Sequence, residues 1–169
     1  MHPNLYLRTF WRSNFQPSIF VAMSFAGAFE RRFTEIIEPA IQEVTYHGTQ
    51  LSASRVDLSK TGDSILTDII DGIAHAVMVL ADVSVIGNDA KTGETYRNGN
   101  VMYEVGLAIA SRQSAEVLLI RDDKSPFLFD VSTVPHKHID FSEPTAARSI
   151  LRSEIEARLR EVDHVHDAR

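Results

Sequence analysis

The sequence predicts an α/β architecture, a three-layer fold with a mostly parallel sheet of about five strands and helices on both faces, from three observations. Short apolar runs without polar alternation recur at residues 18–25, 76–81 and 115–120, the pattern of strands buried on both faces. Between them stand segments whose apolar residues repeat at helical spacing. The resulting order is strand, helix, strand, helix, strand, helix, strand, strand, helix. It requires crossover connections, which parallel neighbours need.

In chain order, residues 1–17 collect large apolar groups (Leu5, Tyr6, Leu7, Phe10, Trp11, Phe15) and end at Pro17. They read either as a short helix packed on the main domain or as a contact surface for a partner or second copy. The first strand follows at 18–25. Ala26 and Gly27 make a turn, and Phe29, Phe33, Ile36, Ile37, Ala40, Ile41 and Val44 then mark a helix. Pro39 inside it predicts a kink near Glu35 or Ile36. Residues 50–57 suggest a second strand near an edge, with Arg55 and Asp57 placed to pair.

Thr61-Gly62-Asp63 opens a helix with the stripe Ile65, Leu66, Ile69, Ile70, Ile73 and Ala74 read as core, and the strand at 76–81 follows it. Residues 85–99 read as a long polar loop, and such loops within compact domains tend to be functional. A helix from residue 100, the strand at 115–120, an irregular stretch at 126–135, a short strand at 136–141 and a long helix to residue 162 complete the pass. The tail at 163–169 is expected to fray.

Length and charge bound the rest. A chain of 169 residues with 44% hydrophobic content supports one domain, expected at 18–162. The absence of cysteine excludes disulfides, thiolate zinc sites and cysteine nucleophiles, and fits a reducing, cytoplasmic setting. A net charge of −6 with interspersed Lys and Arg argues against nucleic acid as the partner and for small ligands or proteins. No stretch approaches a membrane span, and the amino-terminal residues lack the apolar core of a secretory signal.

The stretch 98–110 draws these elements together. Val101, Met102, Val105, Ala108 and Ile109 share one helical face, Asn100 is a plausible N-cap, and Glu104 stands at the edge of that face in the first turn. If the strand order is flavodoxin-like, ligands bind beyond the carboxyl ends of the first and third strands. Segments 24–28 and 82–99 flank that crevice, and Glu104 opens from the second. A carboxylate there, held ionised by the helix dipole, can receive ribose hydroxyls, stabilise an oxocarbenium ion or attack an anomeric carbon. Glycosidic cleavage often pairs two carboxylates, and Asp82 is the candidate second one. Gly27 and Gly99 allow close backbone approach, and Arg97 is placed to clamp a phosphate from the loop. Asp122 and Asp123, ending the fourth strand on the same side, read as solvated or as touching a ribose. His136 with His138, and His164 with His166, alternate without further ligands, so no metal is expected.

Asn98-Gly-Asn-Val-Met-Tyr-Glu-Val-Gly-Leu-Ala resembles the Asn-Pro-Asn-Val-x-Tyr-Glu-Leu-Gly-x-Ala signature of bacterial TIR-like domains, which shade into the nucleoside 2-deoxyribosyltransferase superfamily. Residues 19–25, the stretch Ile73 to Ser84 and Phe129-Asp130-Val131 support the match, which spans roughly residues 18 to 160. The resemblance implies a flavodoxin-like fold and N-glycosidic chemistry. It makes Glu104 the nucleophile of a transferase or the essential acid of an NAD-cleaving TIR domain. Ser24 and Phe25 fall where TIR-like domains contact the nucleotide. Asn98 stands where the transferases carry an aspartate, and Gly99 replaces the usual proline. Together with the residues read from the crevice itself, the expected substrate-binding set is Ser24, Phe25, Gly27, Asp82, Arg97, Asn98 and Asn100.

The expectation is therefore an NAD glycohydrolase without cofactor, NAD being substrate, acting by self-association in bacterial antiphage defence or signalling. Its alternatives are a 2-deoxyribosyltransferase and a non-catalytic nucleotide- or protein-binding module.

Overall fold

The computed structural model describes residues 16–56, 63–125 and 134–167. Most of the apolar segment 1–17, Asp57 and Phe129-Asp130-Val131 lie outside these residues. Strand β1 (Gln16–Ala22) leads into helix α1 (Gly27–Arg32), a π-helical stretch (Phe33–Ile37) and α2 (Glu38–Gln42). The small hairpin β2 (Thr45–Tyr46) and β3 (Thr49–Gln50) precedes β4 (Ser52–Ser54). Then come α3 (Asp63–His75), β5 (Ala76–Asp82), β6 (Val85–Asn88), β7 (Thr95–Arg97) and α4 (Gly99–Ser111). A 3₁₀ turn (Ser114–Glu116), β8 (Val117–Arg121), β9 (His136–His138) and the long α5 (Pro144–Asp167) complete the described chain.

The sheet runs β4-β1-β5-β8-β9, and every pairing in it is parallel. This is the flavodoxin-like order. Because side chains alternate across a strand, one register builds two cores. Ile19, Val21, Met78, Leu80, Leu118 and Ile120 face α1, the π-helical stretch, α2 and α5, whose Phe29, Phe33, Ile37, Ile41, Leu151 and Ile155 close the first core. Phe20, Ala22, Val79, Ala81, Val117 and Leu119 face α3 and α4, which bring Ile73, Val101, Val105 and Ala108.

Several expectations are corrected in detail. The kink expected from Pro39 takes the form of a widened helical turn over Phe33–Ile37, since proline cannot donate to the carbonyl of Glu35. The polar stretch after β5 is no open loop: β6 and β7 form an antiparallel hairpin. At the carboxyl end, α5 continues to Asp167 where fraying was expected from Asp163. Leu66 and Ile70, read as core, are 43% and 40% exposed.

Candidate active site

From β1 the chain crosses to β4 on one side, and from β5 to β8 on the other, so the topological switch lies between β1 and β5. Above β1, Ser24 is buried and its hydroxyl accepts from the N–H of Ala26 (3.2 Å), shaping the turn into α1 at Gly27. Phe25 is partly exposed, and the Arg55 guanidinium lies 4.8 Å from its ring centre. That same guanidinium is held by two-pronged bonds to Glu30 (3.0 Å), while the expected pairing with Asp57 lies outside the described residues.

Helix α4 starts two residues earlier than the sequence suggested. Asn98 is the N-cap: its side-chain oxygen accepts from the N–H groups of Asn100 (3.0 Å) and Val101 (3.2 Å). Asn100 is an exposed first-turn residue, and Glu104 moves to the second turn, where the N-terminal dipole has largely faded.

The direction of Glu104 follows from helix geometry. Val101, Val105 and Ala108 pack on the sheet, and at roughly 100° per residue Glu104 projects about 70° to one side of that line. Viewed from this face with the strands pointing up, right-handed crossovers place α3 to the left of α4. Glu104 lies on that left side, toward the groove between α3 and α4 and over the β1–β5 switch.

The Glu104 carboxyl is half-buried and has no hydrogen-bond or ion-pair partner among the described residues. Burial pushes it from an ordinary value of 4.5 up to about 7. The dipole argument for a firmly ionised carboxylate therefore yields to desolvation. Near neutrality this side chain stands close to equal protonated and ionised populations, the poise of an acid–base group.

Other expected site residues are engaged elsewhere. Asp82 ends β5 on the α1 side of the sheet, opposite to Glu104. It accepts from the Ser84 hydroxyl (2.5 Å), the Ser84 N–H (3.0 Å) and Arg32 (3.1 Å). Burial raises its pKa, against the pull of Arg32 and Ser84. The structure does not bring Asp82 and Glu104 together as a catalytic pair.

Arg97 turns inward. Its guanidinium forms a two-pronged bond with Asp123 (3.0 Å each) and donates to the Val83 carbonyl, which pins the base of the β6–β7 hairpin. Burial opposes ionisation of Asp123. The bonds from Arg97 and the Val85 N–H, with the charges of Arg97 and Arg121, outweigh it and hold the carboxyl below its ordinary range. Asp122 likewise pairs with Arg32. Neither aspartate is simply solvated.

Three features escaped sequence reasoning. Arg32 sits between the rings of Phe29 and Phe141, 4.5 Å from each centre, and gathers Asp82, Ser84 and Asp122. Arg112, directly after α4, donates to the carbonyls of Ile73 and Val77 (2.9 Å each), tying the foot of α4 to that of α3. The exposed Leu66 and Ile70 flank the groove. Their signal was an apolar stripe on α3 too wide for one buried face.

Among the described residues no group of three or more His, Cys, Asp or Glu could hold a metal ion, and no helix is long and apolar enough to cross a membrane.

Neither a protein-family model nor a curated protein matches the sequence. Solved structures do resemble the fold. A 2-desoxiribosyltransferase from Leishmania mexicana is similar with TM-score 0.48 and 16% identity, over 80% of this chain and 97% of its own. The CMP N-glycosidase BcmB of Clostridium botulinum is similar with TM-score 0.45 and 14% identity, over 88% and 98%. A metal-soaked Flv1 flavodiiron core from Synechocystis sp. PCC6803 gives TM-score 0.50 and 10% identity, over 94% of this chain but 38% of that one. At these identities the likeness is one of fold.

Proposed function

We propose that the protein is an N-glycosidase that cleaves the nicotinamide–ribose bond of NAD, with Glu104 as its catalytic carboxylate. The observation that carries this reading is the setting of Glu104, a partly desolvated carboxyl without a partner among the described residues, on the side of α4 that faces the switch point. The likeness of residues 98–108 to the TIR-like signature points the same way, and self-association and a defence role belong to the same proposal.

The chemistry suits one acid. In NAD the leaving nicotinamide is already a cation. Breaking the C1′–N1 bond delivers the electron pair to N1 and neutralises the ring, so no proton donor is required. The ribose must be stabilised as it becomes an oxocarbenium ion, which an ionised Glu104 in a low-dielectric groove does. Water then adds to C1′ and passes a proton to Glu104, giving ADP-ribose. Approach of the cationic substrate favours the ionised carboxylate, since an opposite charge nearby lowers a carboxyl pKa.

Base exchange on deoxynucleosides is less well served. The Asn98 amide, at the position of the transferase aspartate, is occupied in capping α4.

The test is chromatographic analysis of NAD incubated with concentrated protein. Nicotinamide release is expected from the wild type, with a loss of at least about 100-fold in Glu104→Gln. Release that survives the substitution removes Glu104 from the reaction. Exchange between a deoxynucleoside and a free base, with NAD left intact, replaces hydrolysis by transfer. Stabilisation by NAD without turnover marks a binding module.

A further inference from the structure

We propose that Leu66 and Ile70 form the specificity-determining wall of this site, an apolar shelf on α3 that receives a flat, positively charged heteroaromatic ring of the pyridinium class against Glu104. This rests on the reading of Glu104 given above and adds the residues that select the leaving group.

Three observations carry it. The first is height. Helices α3 and α4 are 13 residues each, and Arg112 clasps them at their feet. Counting back equally from His75 and Ser111, Glu104 comes level with Asp68, between Leu66 and Ile70.

The second is direction. On α3 the sheet side is fixed by Ile73, Ile69 and Gly72, where a Cβ on Gly72 would lie 2.3 Å from the Phe20 ring. Helical spacing turns Leu66 and Ile70 roughly 70 to 110° away from the sheet, toward α4. Glu104 turns toward α3 from the other wall. Both apolar side chains remain about two-fifths exposed, at 43% and 40%, so this wall is not consumed by the core.

The third is charge. Neither helix carries Lys or Arg: α4 has Glu104 as its one charged residue, while α3 carries Asp63, Asp68 and Asp71 with His75 at its foot. The same helical spacing turns Asp68 and Asp71 away from α4, so Glu104 is the charge set against the apolar wall, and a carboxylate facing an apolar shelf complements a ring that is apolar on its faces and cationic overall. It disfavours phosphate, whose place is elsewhere along the crevice.

The probe is 1-methylnicotinamide, a pyridinium cation lacking ribose and phosphate, with neutral nicotinamide as control. In methyl NMR spectra of the full chain, Leu66 and Ile70 are expected to shift with the cation and to respond at least about tenfold more weakly to the neutral ring. The variant Leu66→Ala/Ile70→Ala is expected to weaken 1-methylnicotinamide about tenfold and to raise KM for NAD about tenfold with kcat within about twofold, while affinity for ADP-ribose holds. A thermal melt confirms that the double variant is folded.

Methyl shifts without NAD cleavage uphold the shelf and overturn the hydrolase reading. NAD cleavage with silent methyls and an unchanged KM in the double variant overturns the shelf alone. Silence in both overturns both.

Discussion

Replacing Glu104 by glutamine is expected to stabilise the fold above neutrality, by an amount that depends on pH. In the unfolded chain a glutamate titrates near 4.5, whereas burial raises the native carboxyl to about 7. The native state thus binds this proton more tightly. Its contribution to stability is fully present below about pH 4.5 and is lost as pH rises through about 7. At about 1.4 kcal/mol per pH unit, the interval bounds the loss at roughly 3 kcal/mol. Partial exposure of the side chain lets solvent screen it, which brings the expected figure to about 2 kcal/mol. Glutamine keeps the shape and never ionises. Urea unfolding of both proteins at about pH 5 and about pH 8.5 therefore compares two differences in stability. Near pH 8.5 the variant is expected to gain about 2 kcal/mol relative to its standing near pH 5, or about 4 to 8 °C in Tm for a chain of this size. An equal difference at both pH values, or a loss at the higher one, would show that water or a partner holds the carboxylate and refute the desolvation argument.

The same reasoning gives kcat/KM for NAD a pH profile. It is expected to rise with pH and level off above about 7, since the ionised form stabilises the oxocarbenium ion; a profile falling over that range would make the protonated acid the working form. Arg97→Ala removes the two-pronged bond to Asp123 and is expected to cost about 3 kcal/mol in urea unfolding, where a solvated loop arginine would cost less than about 0.5 kcal/mol. Gly72→Ala drives a Cβ into the Phe20 ring and is expected to cost about 1 to 3 kcal/mol. Combined with Phe20→Leu, its penalty is expected to shrink by at least about 0.5 kcal/mol in a double-mutant cycle, and strict additivity would mean that the two never meet. Asn98→Ala is expected to cost about 1 kcal/mol through loss of the cap, with Asn98→Asp and Asn100→Ala near neutral; the reverse ranking would return the cap to Asn100.

The parts legible in the sequence are those whose cause is local. Strands β1, β5 and β8 are buried on both faces, so the apolar runs declare them without reference to anything distant, whereas their order in the sheet comes from pairing. Pro39 disturbs the helix that contains it. The hairpin β6–β7 was hidden because its residues are polar and its anchor, Asp123, lies 26 residues beyond Arg97. Long-range partners also explain Asp82 and Asp122, which look like free acids until Arg32 arrives from the first helix, 50 and 90 residues away. The placement of Glu104 was half legible. The Asn-Gly-Asn stretch offers two caps two residues apart, and that shift decides whether the carboxyl answers to the helix dipole or to burial. Leu66 and Ile70 match the helical period as well as Ile69 and Ile73 do, and only packing separates the wall of a groove from a core.

The clasp of Arg112 also makes a mechanical statement. Two helices of equal length, tied to each other at one end, form a pair of levers about that point. From its foot to Leu66, α3 spans about 13 Å, so a tilt of roughly 10° carries that side chain about 2 Å toward or away from Glu104. The fulcrum lies in the buried floor, at the Ile73 and Val77 carbonyls, where the sheet holds it still. A substitution at Arg112, remote from any substrate, would therefore be felt as a change in aperture at the opposite end.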